Sequence, residues 1–119
     1  MAVESPIEAR DGWFLGEDKV LQYTVYAEDG KTLEDITAWT FEWKLYRRRD
    51  QAEPVVTKAS NAGVTVLDGD AGVVGVIVNA EDTLGLGADN YFAVLWRADE
   101  GMRQVLAYGG AVLRDVVKA

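Results

Sequence analysis

The segment Trp39–Arg47 reads WTFEWKLYR, and its alternation constrains the chain more than any other feature. Trp39, Phe41, Trp43 and Leu45 fall on one side, with Thr40, Glu42, Lys44 and Tyr46 on the other. At helical spacing the large apolar side chains would scatter around the axis. At a period of two they make one dry face of a β-strand. Lys19–Ala27 repeats the pattern, with Leu21, Tyr23 and Val25 opposite Gln22 and Thr24.

Shorter runs follow at close intervals: Pro54–Lys58, Gly63–Leu67 and the β-branched Gly72–Asn79. Asn90–Ala98 and Arg103–Leu113 then read as a hairpin closed by Asp99-Glu100-Gly101. Gly109-Gly110 inside the last run predicts a bulge or a close backbone approach. Ala80–Leu86 alone looks helical, as one turn near 80–86. About seven to eight strands with turns every 8–12 residues predict an all-β, antiparallel sandwich. One domain spanning 1–119 is expected, with 1–12 as an N-terminal arm that orders against a partner.

A chain of 119 residues buries enough surface for one core without staples. It contains no cysteine, so disulfides and thiolate metal sites are excluded. It contains no histidine either, which removes the usual general base at neutral pH and the commonest transition-metal ligand. The only serines are Ser5 and Ser60. Triads built on Ser-His or Cys-His cannot be assembled from these parts. No enzymatic activity, cofactor or metal is expected. The 20 acidic and 12 basic residues give a formal charge of −8. Such a surface repels phosphate backbones, so no nucleic acid is expected as a partner. MAVESPIEARDG has no basic stretch leading into an apolar run, and no stretch is long and apolar enough to cross a bilayer as a helix, so synthesis in the cytoplasm without a membrane partner is expected.

The remaining constellations have plain structural readings. Asp68-Gly69-Asp70 lacks the further oxygen ligands of a calcium loop and reads as a hairpin turn. Glu81-Asp82 suits the first turn of a short helix better than a glycosidase pair. Trp39 and Trp43 share a face with Phe41 and Leu45, and Trp96 shares one with Phe92 and Val94, so all three are expected in the core. Trp13 and Phe14 precede the first clear strand and are the better candidates for an aromatic contact with another chain. Arg47, Arg48 and Arg49 form a lone basic run that either blunts an edge or docks on an acidic neighbour. A carbohydrate-binding module or adhesin is an alternative if aromatics lie exposed in a row, and a carboxylate-only hydrolase a third.

The order of elements is also informative. Ala27-Glu-Asp-Gly30 is followed by Leu33-Glu-Asp-Ile-Thr-Ala-Trp39, then Val64-Thr-Val66 and Asp70-Ala-Gly-Val-Val-Gly-Val-Ile-Val78. Ala80-Glu-Asp-Thr-Leu84 follows, with Tyr91 opening a run that ends in Trp96-Arg97. Over residues 10–116 this succession resembles the small immunoglobulin-like modules of tailed bacteriophages, in particular the N-terminal domain of the upper baseplate protein family. The resemblance implies an immunoglobulin-like fold and a non-enzymatic virion component. Its implied partners are capsid, tail or fibre subunits, met in symmetric copies. Because the chain stops after this one domain, an adaptor, a head spike base or a decoration protein is expected rather than a fibre.

Overall fold

The computed structural model describes residues 2–4, 13–27, 31–47, 53–99, 101 and 103–114. The fold is all-β with one short helix. In chain order the elements are β1 (Ala2–Glu4), β2 (Trp13–Phe14), β3 (Lys19–Tyr26), β4 (Phe41–Tyr46), β5 (Val56–Ser60), β6 (Gly63–Asp68), β7 (Val73–Val78), α1 (Ala80–Leu84), β8 (Asp89–Arg97) and β9 (Gln104–Arg114). The hairpin expected at the end of the chain is β8–β9, paired antiparallel.

The strands form one nine-stranded sheet in the order β1-β3-β7-β6-β5-β4-β8-β9-β2. Its two halves, β1-β3-β7-β6 and β5-β4-β8-β9-β2, have the pairing order of immunoglobulin-type domains. They are stitched together at a short parallel pairing, Ala59 with Gly63 and Ser60 with Val64. A second parallel pairing joins β2 to β9, and the other neighbours are antiparallel. The layers expected as a sandwich are therefore continuous through one mixed, curled sheet.

The curl follows from which faces are dry. Leu21, Tyr23 and Val25 of β3, Phe41, Trp43 and Leu45 of β4, and Val74, Val76 and Val78 of β7 belong to one buried cluster. A flat sheet with β3 and β4 four places apart in the strand order could not bring them together. Here the Trp43 Nε1–H donates to the Tyr23 hydroxyl at 3.1 Å, across the interior. The corner before β8 is fixed in a related way: the Tyr91 hydroxyl donates to the Gly87 carbonyl at 2.6 Å, the tyrosine-corner bond of immunoglobulin-type domains. Gly72 is required at its turn. Its φ is +73°, and a β-carbon there would collide with the Val25 carbonyl oxygen.

Four expectations are corrected. Ala2–Glu4, placed in a free arm, pair with Thr24–Tyr26 as an edge strand; residues 5–12 lie outside the described residues. Trp13 is not on the surface. It is only 3% exposed, pairs in parallel with Leu113, and its ring centroid lies 6.5 Å from that of Trp43. The β8–β9 register runs without a break through Gly109 and Gly110; its irregularity is at Leu95/Trp96, opposite Ala107 and Val105. Trp96 is half-buried on the outer face, opposite Glu42, because Tyr91, Ala93 and Leu95 take the inner one.

Tyr23→Phe removes the acceptor of a buried indole N–H and is expected to cost about 1–3 kcal/mol in urea unfolding. Burial pushes the Tyr23 phenol up to about 12, with the hydrogen bond from Trp43 pulling it partly back. The unfolded chain releases that proton near pH 10, whereas the folded chain retains it. The contribution of Tyr23 to stability is therefore level below about pH 10 and falls between about pH 10 and 12, by about 2–3 kcal/mol. Tyr23→Phe flattens that fall.

Candidate interaction surface

The alternation that buries one face of β4 and β8 leaves their other faces outward, and cross-strand pairing arranges the outward residues in rows. Glu42 lies beside Trp96, and Trp96 beside Val105. Lys44 lies beside Val94, and Val94 beside Tyr108. Tyr46 lies beside Phe92, and Phe92 beside Gly110. The result is a grid of side chains across the outer face of β4, β8 and β9. Val94 at its centre is 9% exposed because its neighbours cover it, whereas Tyr108 is 66% exposed. Phe92 and Tyr108 sit diagonally across the strand pair with ring centroids 5.5 Å apart, within reach for same-face neighbours.

The hairpin end of the grid is charged. Arg103 leans over Trp96, its guanidinium carbon 4.6 Å from the ring centroid, and its Nη2 lies 3.1 Å from Glu42 Oε1. Lys44 Nζ approaches the same oxygen at 3.7 Å. The Trp96 indole N–H is buried and has no hydrogen-bond partner among the described residues.

Just inside this end, Arg97 lies over Trp39 at 3.8 Å and pairs with Asp99 Oδ2 at 2.6 Å. Partial burial pushes the Asp99 carboxyl up. The Thr40 backbone N–H, the Arg97 hydrogen bond and the Arg97 charge outweigh it and hold the carboxyl below the ordinary range. Each of the half-buried tryptophans, 39 and 96, thus carries a guanidinium over its ring.

Arg47 is exposed at the end of β4, where its Nη2 donates to the Tyr91 hydroxyl at 3.4 Å and its guanidinium lies 5.7 Å from that ring. Tyr91 is an inner-face residue of β8, so these contacts turn Arg47 away from the outer rows. Arg48 and Arg49 lie outside the described residues. Phe14 is half-buried opposite Arg114, and its N–H donates to Glu17 Oε1 at 3.4 Å. Of the sequence candidates described, none belongs to the grid: Arg47 leans onto Tyr91, and Phe14 lies beside Arg114, beyond the Gly110 row. Trp13 belongs to the core of its own chain.

The carboxylates singled out in the sequence have local tasks. Asp82 accepts the Asn79 N–H at 2.7 Å and pairs with Lys58 at 2.7 Å, and Asp68 accepts the Ala71 N–H at 3.2 Å. Burial pushes the Asp82 carboxyl up, but those two partners hold it below the ordinary range. Among the described residues no group of His, Cys, Asp or Glu is placed to hold a metal ion. The opposite outer face exposes the aliphatic Val20, Leu67 and Ile77, with the half-buried Tyr26 at the end of β3.

No protein-family model matches the chain, and no curated protein matches its sequence.

The arginine on Trp96 is a surface contact, so Arg103→Ala should cost less than about 1 kcal/mol in unfolding. It uncovers the indole, however, and acrylamide quenching of tryptophan fluorescence should rise while the circular dichroism stays unchanged.

Proposed function

We propose that this chain is a non-enzymatic structural protein of a tailed-phage particle. In this reading it is an adaptor, a head spike base or decoration protein, or a baseplate or tail mounting module, made in the host cytoplasm and carried in the virion. It works by holding other virion proteins. The observation that carries the protein-contact part is the outer grid, with Tyr46, Phe92, Trp96 and Tyr108 around Val94 and Arg103 at one end. Tyrosine, tryptophan and arginine are the side chains that dominate binding energy at protein interfaces. The outer side of a curled sheet offers them to another protein surface, whereas a small substrate needs a concave site. The particle itself is supported by the order of elements that resembles phage immunoglobulin-like modules, and the pairing order of the sheet agrees with that reading.

A carbohydrate platform is the weaker reading. Sugar rings stack on bare aromatic faces, and the half-buried indoles of Trp39 and Trp96 each carry an arginine there.

Mass spectrometry of purified particles tests the proposal. The chain should be present at a fixed ratio to the other virion proteins, and its absence from particles overturns the virion role. Within that role, Tyr108→Lys should leave folding intact, since the side chain is largely exposed, but lower incorporation on the order of tenfold or more. Unchanged incorporation removes the grid from the account.

A further inference from the structure

We infer that the cleft past the end of β5 takes an extended segment of a partner protein, which pairs with the free edge of β6 at Val66 as an added strand. This rests on the reading that the chain works by holding other proteins, and it uses none of the residues of the outer grid.

The register creates the opening. β5 pairs with β4 only as far as Ala59, opposite Glu42. One residue on, the Ser60 hydroxyl takes the Phe41 N–H at 2.8 Å, and the chain turns away at Asn61, whose φ is +66°. β6 keeps β5 as a neighbour only at Gly63 and Val64. From Thr65 onward, among the described residues, β6 has β7 on one side and no strand on the other.

Alternation says which backbone groups are left there. The Val64 carbonyl accepts the Asn61 N–H at 3.1 Å, so the pairing groups of Val64 point away from β7. In an antiparallel ladder the pairing direction alternates along the strand. Thr65 therefore exchanges its bonds with Gly75, and the N–H and C=O of Val66 point the same way as those of Val64. They open onto the space that β5 has left. An N–H and a C=O side by side on a strand edge are a template for another extended chain.

The side chains beside that edge are also incompletely covered. Trp39 and Val66 pack against the core yet are only half-buried, whereas Phe41 and Val64, each two residues away, are fully buried. Both line a cleft of about 370 Å³ together with Thr37, Ser60, Asn61 and Thr65, and no charged side chain lines it.

These features select the occupant. A purely apolar ligand would bury the Val66 N–H and C=O without partners. A sugar or other polyol would set hydroxyls against Val64 and Val66. An extended peptide satisfies both demands, with its main chain on the edge, an apolar side chain inward and uncharged polar ones outward.

Nuclear magnetic resonance of the isotope-labelled full chain tests this, with acetyl-Thr-Val-Thr-Val-Thr-amide as the probe. In the free chain the Val66 amide should exchange with solvent on the order of tenfold or more faster than that of Thr65. Millimolar peptide should shift the Val66 and Trp39 indole resonances and slow Val66 exchange on the order of tenfold. The same peptide N-methylated at every residue keeps the side chains, loses the backbone donors and should have no effect. Val66→Pro removes the N–H at a position where an edge strand tolerates proline. Thr65→Arg fills the cleft from an exposed position, and decides the matter if the proline variant does not fold. Both should lose the peptide response at the Trp39 indole.

A Val66 amide as protected as Thr65 in the free chain overturns the inference. So does a silent Val66 on adding peptide, or an equal response to the N-methylated probe. In particles, Thr65→Arg should lower incorporation on the order of tenfold. If it enters at the wild-type level while Tyr108→Lys does not, the cleft is removed and the proposed role stands.

Discussion

The hydrogen bond from the Trp43 indole to the Tyr23 hydroxyl sits where the two halves of the sheet face each other. The rest of the structure depends on that closure. Trp13 packs on Trp43 from β2, at the far end of the strand order. With both ends of the sheet drawn onto one indole, the inner faces of β3, β4, β7 and β8 share a single interior. Burying those large apolar side chains is worth about 1.5–3 kcal/mol each before the entropy of ordering the chain is subtracted. The same closure turns Glu42, Lys44 and Tyr46 outward, and with them the face argued to meet a partner.

Cations in this acidic chain are placed with some economy. Lys58 ties β5 to the start of α1 through Asp82, and Arg97 clamps Trp39 while holding Asp99. Arg103 does both on the outer face, covering Trp96 and approaching Glu42. Such partly exposed ion pairs add little to stability individually. Their effect is on shape and charge. They fix the orientation of half-buried rings and leave one sheet face without the negative excess of the chain as a whole.

Much of this was legible in the sequence wherever a strand has one wet face. The alternation of Phe41 to Tyr46 and of Lys19 to Tyr26 located β4 and β3 and named their buried residues correctly. The short helix after Asn79 was marked by its first-turn acids. Where both faces of a strand are apolar, periodicity loses its meaning. In Asn90–Trp96 either Tyr91, Ala93 and Leu95 or Phe92, Val94 and Trp96 could have faced inward, and only pairing with Trp43 and Leu45 decides it. The outer grid was missed for that reason. Trp13 was missed because a two-residue strand is too short to alternate, and Ala2–Glu4 because an edge strand of three residues carries no pattern. Of the two readings of Gly109-Gly110, a bulge or a close backbone approach, the bulge fails because the register shift falls at Leu95/Trp96, where no glycine marks it.

The central claim is that the chain acts through the outer face of β4, β8 and β9 while the tryptophans of the interior serve the fold. Hydroxyl-radical footprinting, compared between the free chain at low concentration and the assembled particle, tests it most directly. The account predicts that Tyr108 and Trp96 are oxidised in the free chain and protected in the particle, with Trp43 protected in both and the opposite-face Leu67 unchanged. Equal oxidation of Tyr108 and Trp96 in the two states, with protection falling instead on Val20, Leu67 and Ile77, would contradict it.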